Sequence, residues 1–463
     1  MTIYDEFLAS KAVRAPDVGF EPRDLLPSLL PLQRHVVPWA CRKGRAAVFA
    51  DCGLGKTLIE LEWARQVVAA TGRRVCILAP LAVAQQTVRE GAQFGIACTY
   101  APRPVDAGDA PIVITNYERL PQWLKSLSEI AGVVLDESSI LKSYSGATKK
   151  LIVESFRETP YRLACTATPA PNDHLELGNH AEFLGVMSSH EMLARWFLPD
   201  TSMFGTYRLK GHAVAPFWDW VSSWAVCAGR PSDLGLGDDG YVLPEMHTHR
   251  HVVDVDVVAN RGSALFRVPD MSATSVHAEK RRTSRPRAGR VAALVAAEPN
   301  ERWVVWCETN YEADALLNAL PEASEVRGSM TLEHKERILD DFTAGRSRVL
   351  IGKPSICGLG LNWQHCARVA FAGATFSFES YYQAVRRVWR FGQRRPVDVH
   401  VVLGATELHI WSVLQRKAQA HEEMQGNMFA AARRAQARMA RPGTYNPTRE
   451  ARLPAWLTNT EAT

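Results

Sequence analysis

The chain has 463 residues, 46 % of them hydrophobic, with a net charge of +5; that length suggests two or three domains and that composition is ordinary for globular cores. No apolar run approaches the ~18–20 residues that span a bilayer, and the first residues lack the basic-then-apolar layout of a secretory signal. Nine cysteines are scattered singly without a CxxC pair, which argues against a zinc site and fits reduced thiols in a cytosolic compartment.

In chain order, an N-terminal segment (1–24) leads into short apolar, β-branched runs separated by helical stretches. The runs of the first half are 45–50, 74–80, 111–116, 132–137 and 161–168; those of the second are 302–308, 347–353, 368–373 and 398–404. Continuous apolar runs of this length suit strands buried on both faces of a parallel sheet, and their alternation with helices gives βαβ units. Two such series predict two tandem α/β domains, 25–228 and 247–404. Residues 174–228, including "PFWDWVSSWAVCA", read as a helical insert, and the Gly, Pro and Asp clusters of 229–246 as a linker. A C-terminal helix is expected over 405–440 and a flexible basic tail over 441–463.

The first predicted strand runs into "ADCGLGKT": Ala50, Asp51, Cys52, Gly53, Leu54, Gly55, Lys56 and Thr57. A glycine-rich loop at a helix N-terminus turns backbone N–H groups toward phosphate, and the helix dipole adds to the attraction. In such a loop Lys56 reaches the β- and γ-phosphates and the Thr57 hydroxyl ligates Mg²⁺. About eighty residues later "VVLDESS" closes an apolar run with Asp136 and Glu137. At the end of a sheet strand an Asp can hold Mg²⁺ through water, and the next Glu can orient or deprotonate an attacking water. Late in the second half, Gln383, Arg387 and Arg390 have i, i+4, i+7 spacing, one face of a predicted helix, from which two guanidiniums can neutralise charge on a transferring phosphoryl group.

Three further signals have bland counterparts. His247, His249 and His251 alternate as on one face of a strand, where an exposed strand edge outweighs a metal site. Phe217, Trp220 and Trp224 have helical spacing, and packing outweighs base stacking. The run 280–290 carries six basic residues and no acid; solvated charge and a phosphate-contacting segment weigh equally there. The six arginines from Arg433 to Arg452 bind phosphate or simply keep the chain soluble. Nothing pairs Cys357 with a base, so no thiol nucleophile is expected.

Taken together, the blocks resemble superfamily 2 helicases and translocases, and among them the Swi/Snf-like branch. The order is that of the family across 30 to about 415: "LLPLQRHVVPWA" with Gln33, the phosphate loop, "LAPLAVAQQTVRE", "ITNYERL", "LDESS", "CTATPAPND", "VVWCETN", "RGSMTLEHKERILDDF", "KPSICGLGLNWQHC" and "YYQAVRRVWRFGQ". The resemblance implies two RecA-like domains with an ATP cleft between them and hydrolysis driving movement on nucleic acid. It also implies ATP and Mg²⁺ as cofactors, with Gln33 on the adenine and Gly360 and Gln383 in the nucleotide site. Asn116, Lys353 and Asn362 would touch the track.

Double-stranded DNA is the favoured track, with single-stranded DNA or RNA as other candidate tracks and no membrane partner; an RNA helicase, or an ATP-switched DNA clamp without processive translocation, is the alternative function. A monomeric motor in a phage, prophage or bacterial host cytosol is expected, with replication, recombination or nuclease proteins as partner candidates. The chain departs from the branch in three ways. Ser138 and Ser139 replace the last residues of the acidic block, Arg386 stands where Asp is common, and the "WNP"-like stretch is absent. In this form it is most similar to the compact helicases encoded by phages.

Overall fold

The computed structural model describes residues 13–142, 146–200, 207–253, 273–357 and 362–439. The first half builds a seven-stranded, all-parallel sheet in the order β3-β4-β2-β5-β6-β1-β9. Its strands are β1 (Arg45–Ala50), β2 (Arg74–Ala79), β3 (Cys98–Tyr100), β4 (Ile112–Asn116), β5 (Ile130–Asp136), β6 (Tyr161–Cys165) and β9 (Ala225–Ala228). A small antiparallel ribbon, β7 (Phe197–Pro199) with β8 (Tyr207–Leu209), stands apart. The second half builds a six-stranded parallel sheet in the order β10-β15-β14-β11-β13-β12. Its strands are β10 (Met246–Val253), β11 (Trp303–Trp306), β12 (Ser324–Glu325), β13 (Val349–Gly352), β14 (Arg368–Phe371) and β15 (Val397–Gly404).

Both sheets are covered on both faces, as parallel sheets require. Along β1, Ala47 and Phe49 join one core while Ala46, Val48 and Ala50 join the other. Along β11, Val304 and Trp306 face one core and Trp303 and Val305 the other. The expected pair of tandem RecA-like, parallel-sheet α/β domains is what forms.

The helices that matter for the site are α1 (Pro31–Lys43), α2 (Lys56–Thr71), α3 (Glu176–Leu184), α4 (Val214–Val221), α5 (Ala273–Ala297), α6 (Phe378–Val385) and α7 (Leu408–Met439). The 32-residue α7 enters the second core with Ile410, Trp411 and Leu414 and the first core with Met424, Met428 and Ala431. One helix therefore packs into both domains.

Three expectations are corrected here. The insert is not helical to its end: after α4, Ala225–Ala228 is β9, paired parallel to β1. Four apolar residues behind a Trp-rich helix carry no strand period of their own, and the free edge of β1 decides their state. The run 280–290 is not loose charge but part of α5. Within it Lys280 pairs with Glu308, Arg282 with Glu279, and Arg287 is fully buried with Glu312 and Glu407. Among its arginines Arg281, Arg285 and Arg290 are exposed. Third, α6 stops at Val385, so Arg387 and Arg390 lie in the turns beyond it. The Arg387 carbonyl accepts from the Trp363 N–H at 2.9 Å, a tertiary bond that diverts it from a helical partner.

Phe217, Trp220 and Trp224 are buried in the first core, as the packing reading expects. The three histidines lie on edge strand β10. His249 contacts Asp398 at 2.7 Å, His251 contacts His400 at 3.0 Å, and His247 lies 3.5 Å from Glu245. Among the described residues no group of three or more His, Cys, Asp or Glu side chains is arranged to hold a metal ion. Among the described residues, too, no helix is long and apolar enough to cross a membrane.

Candidate active site between two parallel sheets

In a parallel sheet the C-terminal strand ends open on the ligand crevice. β1 delivers the phosphate loop there, and β5 delivers Asp136 and Glu137. β6 lies between them in the sheet, with Asp136 opposite Cys165 and Val48 opposite Cys165 on the other side. The "TAT" segment after β6 therefore sits between the loop and the acids.

The loop is shaped by two glycines with positive φ, Gly53 at 89° and Gly55 at 75°. Gly55 is the N-cap of α2. A Cβ on it would come within 2.1 Å of the Gln33 amide nitrogen, so only glycine fits. Gln33 is buried; it donates to the Gly55 carbonyl at 3.3 Å and accepts from Leu30 N–H at 2.9 Å. Its amide thus binds the loop backbone here. The Lys56 ammonium donates to the Ala50 carbonyl at 3.0 Å, which folds it over the hollow that the loop encloses.

Asp136 is buried, and its pKa is raised to about 7, first by burial and then by Glu137. Tyr117 donates to its carbonyl at 2.6 Å. Glu137 has φ of 54°, a conformation that costs a non-glycine residue of order 1–3 kcal/mol and clusters at functional sites. Thr166 donates to the Glu137 carboxylate at 3.2 Å, and the Gln383 amide approaches it at 3.5 Å.

The sequence reading missed Glu60. It sits in α2, one turn past Thr57, fully buried beside the Cys165 thiol. Burial, then Asp136, holds its pKa well above the carboxylate range. The carboxyl of Asp136 and the hydroxyl of Thr57 are hard oxygen donors of the kind a divalent cation takes, while Glu60 is fully buried behind them. Mg²⁺ keeps most of its waters and takes few protein ligands, so Thr57 and Asp136 fit it as the protein's share.

The second domain closes the site with α6 and the turns after it. Arg390 lies against the phosphate loop: a Cβ on Gly53 would be 3.7 Å from its Cβ. Burial, then Arg387, lowers the Arg390 pKa. Arg387 is buried and donates to the Gln383 carbonyl at 3.1 Å.

The Asp51 side chain belongs to an interdomain contact. It is ion-paired with Arg386, accepts from Tyr382 at 2.6 Å, and accepts from Cys52 N–H at 2.6 Å. Arg386 is buried and stacked 4.8 Å above Trp389. Burial, then Arg390 and Arg387, pulls its pKa down to about 9; Asp51 is the counter-charge that favours its cationic form. In the sequence Arg386 stood as a departure and Asp51 as a member of the phosphate loop, with nothing to show that they meet.

The candidate track residues lie apart from this centre. Asn116 is buried between Tyr100 (3.3 Å) and Glu118 (2.7 Å), Lys353 donates to Asn310 at 2.7 Å, and Asn362 is exposed. Gly360 lies outside the described residues.

Two family models match this arrangement. Residues 30–177 match the DEAD/DEAH box helicase family, and residues 287–392 match the helicase conserved C-terminal domain. The chain is a superfamily 2 helicase. The two matches cover the phosphate loop and acidic pair on one side and Gln383, Arg387 and Arg390 on the other. The helicase is thereby an ATP-binding, ATP-hydrolysing enzyme of a family whose homologues bind nucleic acid. A curated relative, the putative protein p41 of Acyrthosiphon pisum secondary endosymbiont phage 1, is 21 % identical over 437 residues, 82 % of this chain and 93 % of that one. The fold is shared with S. cerevisiae Dbp5 bound to RNA and ADP BeF3, with a TM-score of 0.52, 14 % identity and coverage of 86 % and 93 %. A Sulfolobus solfataricus SWI2/SNF2 ATPase core in complex with dsDNA aligns at a TM-score of 0.42, 17 % identity and coverage of 91 % and 98 %.

Proposed function

We propose that this helicase is a nucleic-acid-stimulated ATPase that translocates along double-stranded DNA, a compact member of the Swi/Snf-like branch. The observation that carries the reading is the convergence of side chains from both sheets on one cleft. Lys56, Thr57, Asp136 and Glu137 come from the first, and Gln383, Arg387 and Arg390 come from the second. A cleft built from two bodies can couple the state of a nucleotide to their relative position.

Lys56 and the N–H groups of the loop bind the β- and γ-phosphates. Thr57 and Asp136 would hold Mg²⁺, which supplies charge neutralisation at the phosphates when bound. Glu137, kept in an unusual backbone conformation and braced by Thr166, orients the attacking water and accepts its proton. Arg387 and Arg390 offset the charge that develops on the transferred group. Asn116, Lys353 and Asn362 are the proposed track contacts. Support for the duplex-DNA branch comes from the resemblance of the sequence blocks around 353–393. The p41 relative supports a phage or prophage setting.

The test is ATP turnover measured with duplex DNA, single-stranded DNA and RNA, paired with triple-strand displacement on the best activator. Duplex DNA is expected to activate and the third strand to be displaced; activation by RNA alone would replace the proposed track. Lys56→Ala and Glu137→Gln are expected to abolish stimulated turnover in folded protein, and retained turnover in Glu137→Gln counts against the water-orienting role.

A further inference from the structure

The acidic block ends in Ser138 and Ser139, two short hydroxyl side chains. Ser138 turns inward, its hydroxyl 3.1 Å from the His180 ring in α3. Burial lowers the His180 pKa to about 4, so the ring is neutral and this contact is a packed hydrogen bond within one domain. Ser139 points the other way. It donates to a carboxylate oxygen of Glu379, and the other oxygen of that carboxylate accepts from Lys142 at 2.6 Å. Ser139 and Lys142 belong to the same 3-10 turn, Ser138–Lys142, which leaves Glu137 directly.

We infer that Glu379 is a positioning residue of the second domain that sets the orientation of Glu137 through this turn. An acid in the first turn of a helix is ordinarily there for the helix dipole, and Ser377 already caps α6 by accepting from Ser380 N–H. Glu379 instead spans to two residues of the other domain. It lies one helical turn before Gln383, whose amide approaches Glu137 itself, so both side chains share one face of α6. The two contacts bracket the bend: Gln383 meets the Glu137 carboxylate, while Glu379 holds the turn behind it. The Ser139 hydroxyl also lies 3.5 Å from the Glu137 carbonyl. Displacement of Glu379 therefore moves the peptide that carries Glu137 as well as the serine.

Energy does not explain the arrangement. The Lys142 side chain is 44 % exposed, and a solvated pair of that kind contributes little to stability. What the contact supplies is geometry, at a residue whose backbone conformation is intrinsically unfavourable. The long reach of Glu379 makes up for the short reach of Ser139.

The inference rests on the water-orienting role proposed for Glu137. It is tested by ATP turnover at saturating amounts of whichever nucleic acid activates best, so an error about the track does not affect it. Glu379→Ala is expected to lower kcat about 10- to 100-fold, the scale of a small misplacement of a catalytic group, with KM for ATP nearly unchanged. Ser139→Ala should lower kcat similarly, and the double variant should be no worse than either single one. Glu379→Gln, which can still accept from Ser139, should recover most of the rate. Full activity in Glu379→Ala, a loss confined to KM, or multiplicative losses in the double variant would overturn the inference. Thermal melting of each variant identifies a rate loss that is only unfolding. In that case the Glu379→Gln rate decides: wild-type kcat supports the positioning role, and a tenfold deficit in a folded protein removes it. Failure of the Glu137 reading has a separate signature, namely wild-type turnover in Glu137→Gln.

Discussion

At the scale of single residues, charge outside the cleft is handled differently from charge inside it. Arg287 is fully buried, 2.9 Å from Glu312 and 3.6 Å from Glu407, and its guanidinium also meets the Ala372 carbonyl. Removing one partner of such a group strands the others in a low dielectric, which costs about 3–5 kcal/mol. Arg287→Met is therefore expected to lower stability by that amount in urea titration, while Arg285→Met, exposed on the same helix, changes it by under about 0.5 kcal/mol. In the cleft the cationic residues are crowded together instead: Arg386 pairs with Asp51 of the phosphate loop, and Arg390 lies against Gly53 of the same loop. Arg390→Ala is expected to lower kcat about 10³-fold or more while ATP affinity changes far less. Equal losses in both would remove it from the transition state.

At the scale of elements, α7 is the one whose role was least visible beforehand. A 32-residue helix after the last strand is easily read as an appendage, yet its two ends lie in different cores. The strength of that attachment is in its methionines. Met428 is 2 % exposed among the first core's residues, and Met428→Ala is expected to cost about 2–5 kcal/mol. The Arg434–Asp219 ion pair, 2.7 Å long and partly solvated at 39 % and 23 % exposure, should cost under about 1 kcal/mol when Arg434 becomes Ala. Chemical denaturation of both variants separates the two contributions, and a larger loss from Arg434→Ala would reverse this assignment. The same contrast explains β9: its residues carry little strand signal, and the exposed edge of β1 supplies the partner.

At the scale of the whole molecule, buried histidines and buried acids pull the acid side of the stability profile in opposite directions: burial raises Asp136 and Glu176 to about 7, which favours the folded chain as pH falls. His180 and His421 are buried, and burial lowers both pKa values to about 4. An unfolded histidine titrates near 6.5. Between about 6.5 and 4 the unfolded chain binds more protons at these positions, so stability rises with pH there. Their contribution is complete above 6.5 and is lost as pH falls toward 4. Melting temperature followed from pH 7 to pH 4 is expected to fall less, or rise more, in His180→Gln than in the wild type, because only the wild type carries that histidine contribution. For the proposed motor, binding to duplex DNA should weaken linearly in log–log form with added salt, because phosphate contacts release counterions; a flat salt dependence would point to base contacts or no binding.

How much of this was legible beforehand follows from the range of the interactions. The nine apolar runs became strands because a parallel sheet buried on both faces imposes a local, readable composition. The phosphate loop and the acidic pair were legible because their chemistry depends on residues adjacent in sequence and delivered by a strand end. Gln383, Arg387 and Arg390 were found by spacing, although the helix that justified the spacing ends at Val385 and a bond from Trp363 shapes the remainder. Glu60, Asp51 with Arg386, and Glu379 with Ser139 were not legible. Each acts through a partner brought near by packing, the last two across more than 200 residues of chain. The amino-acid sequence alone determined the class of fold and the residues able to meet a phosphate, because both depend on local period and local chemistry. Only the tertiary structure decided which charge answers which across the cleft, because an ion pair has no sequence period and forms wherever two packed surfaces bring opposite charges together.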